Sequence, residues 1–274
     1  MSTFDHDGLH FQYEQHGTGT PVVLVPGIMG DARLWQRILP LLATHRQVIA
    51  FDNRDAGGSS LCPERDYTPA DMAGDVLALL DHLDLPSAHV IGHSLGGQVA
   101  QEMSLASPDR VLGIVLANTW GKGDGELAAL LELREGFSHE LSDDLFLRQA
   151  LYFNFGPSFF RSTTLDQVTK AFLANGKLPA RDAFRRQIGA ARRADTVNRL
   201  ASIRAPALII WGNEDRDFSA HHAQVLGEGI ANARAVCFEG VGHCPMIERP
   251  AAFAEAVNQF FDTVERAASV RVVA

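Results

Sequence analysis

The sequence predicts an α/β protein: a doubly wound, mostly parallel sheet with a mainly helical insertion. Three observations predict it. Short runs at Val22–Val25, Gln47–Phe51, Ala88–Ile91, Val111–Ala117, Ala207–Trp211 and Ala235–Phe238 are mostly apolar throughout instead of alternating, as strands buried on both faces are. Between several of them lie helical repeats with one apolar stripe. This alternation stops after Ala117 and resumes at Pro206, which marks an insertion.

Taken in order, Pro69–Leu83 repeats Met72, Val76, Leu79, Leu80 and Leu83 at helical spacing, and Ala251–Phe261 repeats Phe253, Val257 and Phe260. Inside the insertion, Leu127–Leu133 and Leu145–Leu151 read as helix, and Tyr152–Phe160 is dense in aromatic residues. Arg181–Leu200 carries Phe184, Ile188 and Ala191 on one helical face. The expected organisation is a core in two pieces, residues 1–120 and 201–274, with a helical cap over 121–200 lying across the strand ends. In a doubly wound sheet those carboxyl ends are where ligands bind.

Charge and composition exclude several classes of function. With 24 basic against 33 acidic residues the net charge is −9, which repels phosphate backbones and anionic membrane surfaces, so neither nucleic acid nor a membrane is an expected partner. Cys62, Cys237 and Cys244 are too few and too scattered for a disulfide framework or a zinc site, and they read as reduced thiols. Residues Met1 to His16 carry acids and histidines where a secretory signal needs a basic start and an apolar stretch, and no apolar run is long enough to span a bilayer. The expectation is a cytoplasmic chain acting on a small molecule, with no metal and no organic cofactor.

The chemistry is concentrated in Gly92-His93-Ser94-Leu95-Gly96, where a strand turns into a helix. Such a turn is tight, so the positions two before and two after the serine must be small, and the serine stands exposed at its tip. The helix start supplies unpaired N–H groups and a positive dipole end, and the N–H of Leu95 can face a developing oxyanion. Gln98 follows Gly97 where a phosphate-binding loop would need lysine. A serine hydroxyl needs a positioned base and a carboxylate behind that base, in the chain order Ser, Asp or Glu, His. His243, in Gly240-Val-Gly-His-Cys-Pro-Met246 after the last strand, fits the base. Asp215, in Ile209-Ile-Trp-Gly-Asn-Glu-Asp-Arg-Asp217, fits the acid; Glu214 and Asp217 read as solvated or capping acids. Asn118 ends the Val111–Ala117 run, where some hydrolases keep their acid, but an amide cannot stabilise an imidazolium as a carboxylate does.

On these residues the chain resembles the α/β-hydrolase superfamily over essentially its whole length, and the resemblance implies the α/β-hydrolase fold. Val25-Pro-Gly-Ile-Met-Gly30 is similar to the family's oxyanion loop, with Pro26 where histidine is usual, which implies the backbone N–H of Ile28 as second oxyanion donor. Asp52-Asn-Arg-Asp-Ala-Gly-Gly-Ser59 is similar to a structural loop of the family, with Asp55 where glycine is usual, and Pro108-Asp109-Arg110-Val111 also matches. A serine at the elbow implies acyl transfer, and the whole pattern looks most similar to carboxylesterases and enol-lactonases: ester or lactone cleavage through an acyl-enzyme. Related branches cleave a C–C bond in ring-cleavage products, carry out perhydrolysis or halide oxidation without a cofactor, or serve as ligand receptors with little turnover.

Met29, Trp35, Trp120, Phe153, Phe155, Phe159 and Phe160 are the candidates for an apolar substrate pocket, set against the plainer alternative that most of them are cap core. Arg185, Arg192 and Arg199 recur every seventh residue and would share one face if their helix were continuous. Solvated surface is the simpler account of them, and a carboxylate anchor the sharper one. Cys244, beside His243, is read as a small residue filling space.

Overall fold

Five of the six apolar runs of the sequence become central strands of one sheet; the sixth, Ala235–Phe238, lies in its edge strand, where Ala235 and Val236 are exposed instead of buried on both faces. The computed structural model describes residues 1–62, 66–175 and 178–273. Among these, the strands are β1 (Ser2–His6), β2 (Leu9–His16), β3 (Pro21–Val25), β4 (Gln47–Phe51), β5 (Ala88–His93), β6 (Val111–Ala117), β7 (Ala207–Gly212) and β8 (Ala233–Phe238). They lie in the order β1-β2-β4-β3-β5-β6-β7-β8. From β4 to β8 every pairing is parallel, while β1 and β2 are antiparallel.

The β1–β2 hairpin is an addition to the expected set, and its signal was present. Asp7 and Gly8 both have positive φ (51° and 75°), the geometry for which Asp-Gly is the preferred two-residue turn. Phe4, Phe11 and Tyr13 alternate onto the buried side of the two strands.

The helices are α1 (Leu39–Leu42), α2 (Pro69–His82), α3 (Leu95–Ala106), α4 (Gly125–Glu140), α5 (Asp143–Asn154), α6 (Leu165–Asn175), α7 (Arg181–Arg193), α8 (Ala220–Gly229), α9 (Pro245–Glu248) and α10 (Pro250–Val273). Helix α2 starts where its sequence says it should: Thr68 and Asp71 form a reciprocal capping box around Pro69 at the first helical position. Its buried stripe packs with α3 and α8 on one face of the sheet, in a core that includes Val76, Leu79, Val99, Met103 and Leu226. The opposite face is covered by α1 and α10, through Leu42, Phe253, Val257 and Phe261. Among the described residues no helix is long and apolar enough to cross a membrane.

Helices α4 to α7 all fall between β6 and β7, where the insertion was expected. The segment Arg181–Leu200 is not one helix. Helix α7 ends at Arg193, Ala194 is extended (φ −71°, ψ 117°), and a separate 3₁₀ turn spans Val197–Ser202. Arg199 therefore shares no helix face with Arg185 and Arg192.

Helix α7 is fastened to the core through Arg186, Gln187 and Arg193. Arg186 forks onto Asp55 with N···O distances of 2.8 and 2.6 Å. Gln187 accepts the N–H of Met29 at 3.0 Å, and Arg193 donates to the Tyr67 carbonyl at 3.0 Å. Asp55 occupies a left-handed conformation (φ 64°), which explains why glycine suits this position elsewhere. Here its side chain has a use that glycine could not serve: it also accepts the N–H of Cys62 at 2.8 Å.

Candidate active site

The chain runs from β3 outward to β4 and then returns to place β5 on the other side of β3, so the strand order switches between β3 and β5. A crevice opens at the carboxyl ends of strands at such a point. The loop Pro26–Gly30 leaves β3 on one side of it, and Ser94 follows β5 on the other.

Ser94 sits at φ 54° and ψ −120°, a strained conformation for a residue with a side chain, at the N-terminus of α3. Close approach enforces the glycines around it. A Cβ on Gly92 would lie 2.2 Å from the Gly96 carbonyl oxygen, and one on Gly96 would lie 2.1 Å from that of Val25. The turn is held by the Ser94 N–H donating to the Ala117 carbonyl at 3.0 Å, and by the Thr119 hydroxyl donating to the Ser94 carbonyl at 2.7 Å. Ser94 caps no N–H of α3 with its own side chain, which leaves its hydroxyl for other work. The N–H of Leu95, at the first helical position, has no carbonyl one turn back to bond.

His243 follows β8 and Asp215 follows β7. The Nδ1–H of His243 donates to Asp215 Oδ2 at 3.0 Å, and both side chains are buried. Asn118, at the end of β6, donates to the same Oδ2 at 2.7 Å and to the Gly242 carbonyl at 3.2 Å. The amide thus steadies the acid from the place where other hydrolases put the acid itself. The Asp217 N–H donates to Asp215 Oδ1 at 2.8 Å. Burial pushes the Asp215 carboxyl up, but the charge of His243 and the hydrogen bonds outweigh it and hold it below the ordinary aspartate value. For His243, burial lowers the pKa and the charges of Asp215 and Asp217 reverse that, so it titrates above the ordinary histidine value.

His93 packs against His243. Its Nε2–H donates to the His243 carbonyl at 2.8 Å, and the two rings lie 4.5 Å apart. Burial, then the nearby charge of His243, depress its pKa to about 3, so it is neutral near pH 7. Cys244 is buried beside them, and burial followed by the charge of Glu248 drives its thiol well above the ordinary cysteine value.

Ser94 and His243 open onto one cavity of about 570 Å³, whose walls include Gly27, Ile28 and Met29 of the loop after β3. The cap closes it with Leu147, Ala150, Leu151, Phe155, Phe159, Val168 and Phe172, and Arg134 of α4 reaches the same space. Of the residues expected to line a pocket, Met29, Phe155 and Phe159 do so. Trp35, Trp120, Phe153 and Phe160 do not. Trp35 is fully buried under the sheet, edge-on to His93 at 6.5 Å. Trp120 stacks on Phe218 at 4.9 Å, and Phe218 in turn lies 5.4 Å from the His243 ring. Phe153 lies under the Arg134 guanidinium at 5.3 Å, and Phe160 stacks on Tyr152 at 6.1 Å. Large aromatic rings are as often second-layer support as lining, because their area is worth most where water is fully excluded.

The arginines of the regular heptad spacing do not line the cavity. Arg185 pairs with Asp182, Arg192 with Glu135 and Arg199 with Glu102, which is the plainer of the two accounts of them. The arginine that does reach the cavity, Arg134, carried no sequence signal beyond its place in a cap helix. Asp217 is the larger correction. Far from being a solvated acid, it is 5% exposed and pairs with Arg134 at 2.8 Å. Glu214, its neighbour, accepts both the N–H and the hydroxyl of Ser158, joining the acid loop to the cap. Among the described residues no group of three or more His, Cys, Asp or Glu side chains is placed to hold a metal ion.

Comparison with known proteins agrees with this architecture. Residues 20–250 match the family model described as the alpha/beta hydrolase fold. A protein from Azorhizobium caulinodans, provisionally named carbamate hydrolase RutD, is 29% identical over 93% of this chain and 96% of its own length. The crystal structure of a hydrolase from Pseudomonas aeruginosa superposes with a TM-score of 0.85 at 31% identity, covering 94% of this chain and 97% of that one. The enol-lactonase of Burkholderia xenovorans matches with a TM-score of 0.85 at 24% identity, over 95% and 100% of the two chains, a likeness of fold.

Proposed function

The chain belongs to the alpha/beta hydrolase family, and on that premise we propose that it is a serine hydrolase cleaving a small to medium carboxylic ester or lactone through an acyl-enzyme. The observation that carries the proposal is the convergence on one capped, largely apolar cavity of Ser94 on its left-handed turn and of His243 backed by Asp215.

Ser94 Oγ attacks the substrate carbonyl while Nε2 of His243 takes the hydroxyl proton, and Asp215 on Nδ1 fixes the tautomer and stabilises the imidazolium. The tetrahedral oxyanion is met by the N–H groups of Ile28 and Leu95, each worth about 3 kcal/mol in the transition state. Gln187 accepts the N–H of Met29, the neighbour of Ile28 in the same loop, and so helps fix that loop. The imidazolium then protonates the departing alkoxide, and a water activated by His243 releases the acid. The apolar cap wall suits an uncharged acyl or alkyl group of moderate size.

A carbamate is the second reading, favoured by the likeness to RutD. Its carbonyl is attacked by the same machinery, and its leaving group takes the same proton from His243.

The test is covalent labelling with a fluorophosphonate followed by peptide mapping, with parallel assays on p-nitrophenyl esters of increasing acyl length and on matched lactones and carbamates. Wild type labels at Ser94 and hydrolyses esters or lactones, and Ser94→Ala loses both, with a fall in kcat on the order of 10⁶. Full hydrolysis by pure Ser94→Ala would overturn the proposal, and a preference for carbamates would select the second reading.

A further inference from the structure

His243 stands between two carboxylates. Asp215 takes Nδ1 at 3.0 Å, and Oδ2 of Asp217 lies 3.9 Å from Nε2, the nitrogen that faces the chemistry. Asp217 is buried and forms an ion pair with Arg134, whose Nη2 lies 3.0 Å from Oδ1 and 2.8 Å from Oδ2. Arg134 comes from α4 of the cap, is 7% exposed, and is covered on one side by the Phe153 ring. A chain of contacts therefore runs from the cap, through Arg134 and Asp217, to the reactive nitrogen of the base.

We propose that Asp217 is a positioning residue for the base and that Arg134 is its counterweight, so that the cap helix α4 sets how firmly His243 holds a proton at Nε2. The inference rests on the serine-hydrolase reading above. A buried carboxylate 3.9 Å from Nε2 favours the imidazolium formed during acylation. Burial pushes the Asp217 carboxyl above the ordinary aspartate value, and the charge of Arg134 works against that; ionised, the carboxylate draws a proton toward Nε2. Arg134 offsets that pull and holds the Asp217 oxygens on its own Nη2. The two residues thus act on His243 with opposite signs, although each is the other's partner.

The other charged and titratable groups around the ring do not supply this pair of effects. Asp215 sits on the far nitrogen. His93 is neutral and bonds the His243 backbone. Cys244 is a protonated thiol. Glu248 of α9 is engaged by the N–H groups of Gly156, Gly242 and Cys244. Arg216 donates to the carbonyls of Tyr152 and Phe155, and His222 of α8 lies behind Phe218.

The experiment is the pH dependence of kcat/KM on a neutral p-nitrophenyl ester, together with an NMR titration of the His243 ring in the same proteins, its resonance assigned with His243→Gln. In Asp217→Asn, which keeps the side-chain shape, the acid limb and the ring titration move down by about one pH unit, because one anion is lost and Arg134 is left to repel the imidazolium. In Arg134→Gln both move up. Arg134→Lys, which keeps the charge, stays near wild type. Shifts of the same sign in Asp217→Asn and Arg134→Gln, or none in either, would overturn the inference. The ring titration reads it without turnover, whereas a wild type that shows no Ser94-dependent hydrolysis would overturn the functional reading instead.

Discussion

Replacing Asp55 with glycine restores the residue usual for its loop and should nevertheless destabilise this protein. In Asp55→Gly the ion pair with Arg186 is lost, and the guanidinium, 13% exposed, remains in place without its carboxylate. Removing one partner of a buried pair costs about 3–5 kcal/mol. The left-handed backbone at φ 64° is relieved of strain by glycine, which returns about 1 kcal/mol. The balance is a loss of about 2–4 kcal/mol, or a fall in Tm on the order of 10 °C for a chain of this size. Thermal unfolding followed by circular dichroism measures it, and Arg186→Met provides the mirror case, with Asp55 left unpaired. The double variant Asp55→Gly/Arg186→Met should recover part of the loss, since neither charge is then stranded. A Tm for Asp55→Gly equal to or above wild type would refute the reasoning and mean that backbone strain outweighs the pair.

Three further outcomes test the site. Gly96→Ala puts a methyl group 2.1 Å from the Val25 carbonyl, so α3 must move away from β3. It should cost about 1–3 kcal/mol of stability and, by misplacing Ser94, about 100-fold in kcat/KM; activity within twofold of wild type would show that the turn tolerates the shift. Because His243 must be neutral to accept a proton and its pKa is raised, kcat/KM should fall as pH drops through a value above 6.5, the ordinary histidine value, and Asp215→Asn should reduce kcat by about 10⁴-fold. A pH profile flat down to pH 5 would exclude His243 as the titrating base.

Much of the fold and of the candidate site is legible from local signals. Strand runs such as Ala88–Ile91 are legible because both sheet faces bury them, and the Ser94 turn because its geometry admits little besides glycine at 92 and 96. His243 and Asp215 were found by chain order and by their loops after strands. The β1–β2 hairpin was missed, although Asp7-Gly8 between alternating aromatics announces it. The continuous helix on which a shared face of Arg185, Arg192 and Arg199 depended does not form: Ala194 leaves helical geometry, although alanine is the best helix former.

What the sequence determined by itself is what acts over short distances: the strand and helix periods, the tight turn at Ser94, and the loops after β7 and β8 that carry Asp215 and His243. What only the tertiary structure decided is which side chains meet across the chain. Arg134 and Asp217 are 83 positions apart, and Asp55 and Arg186 are 131; nothing within one helix or loop marks either pair. Trp120 and Phe159 read alike as aromatic residues near the cap, yet one backs the wall and the other is the wall. Burial and charge pairing depend on where distant elements come to rest, so the electrostatic setting of His243 emerges only when the cap has folded over the sheet.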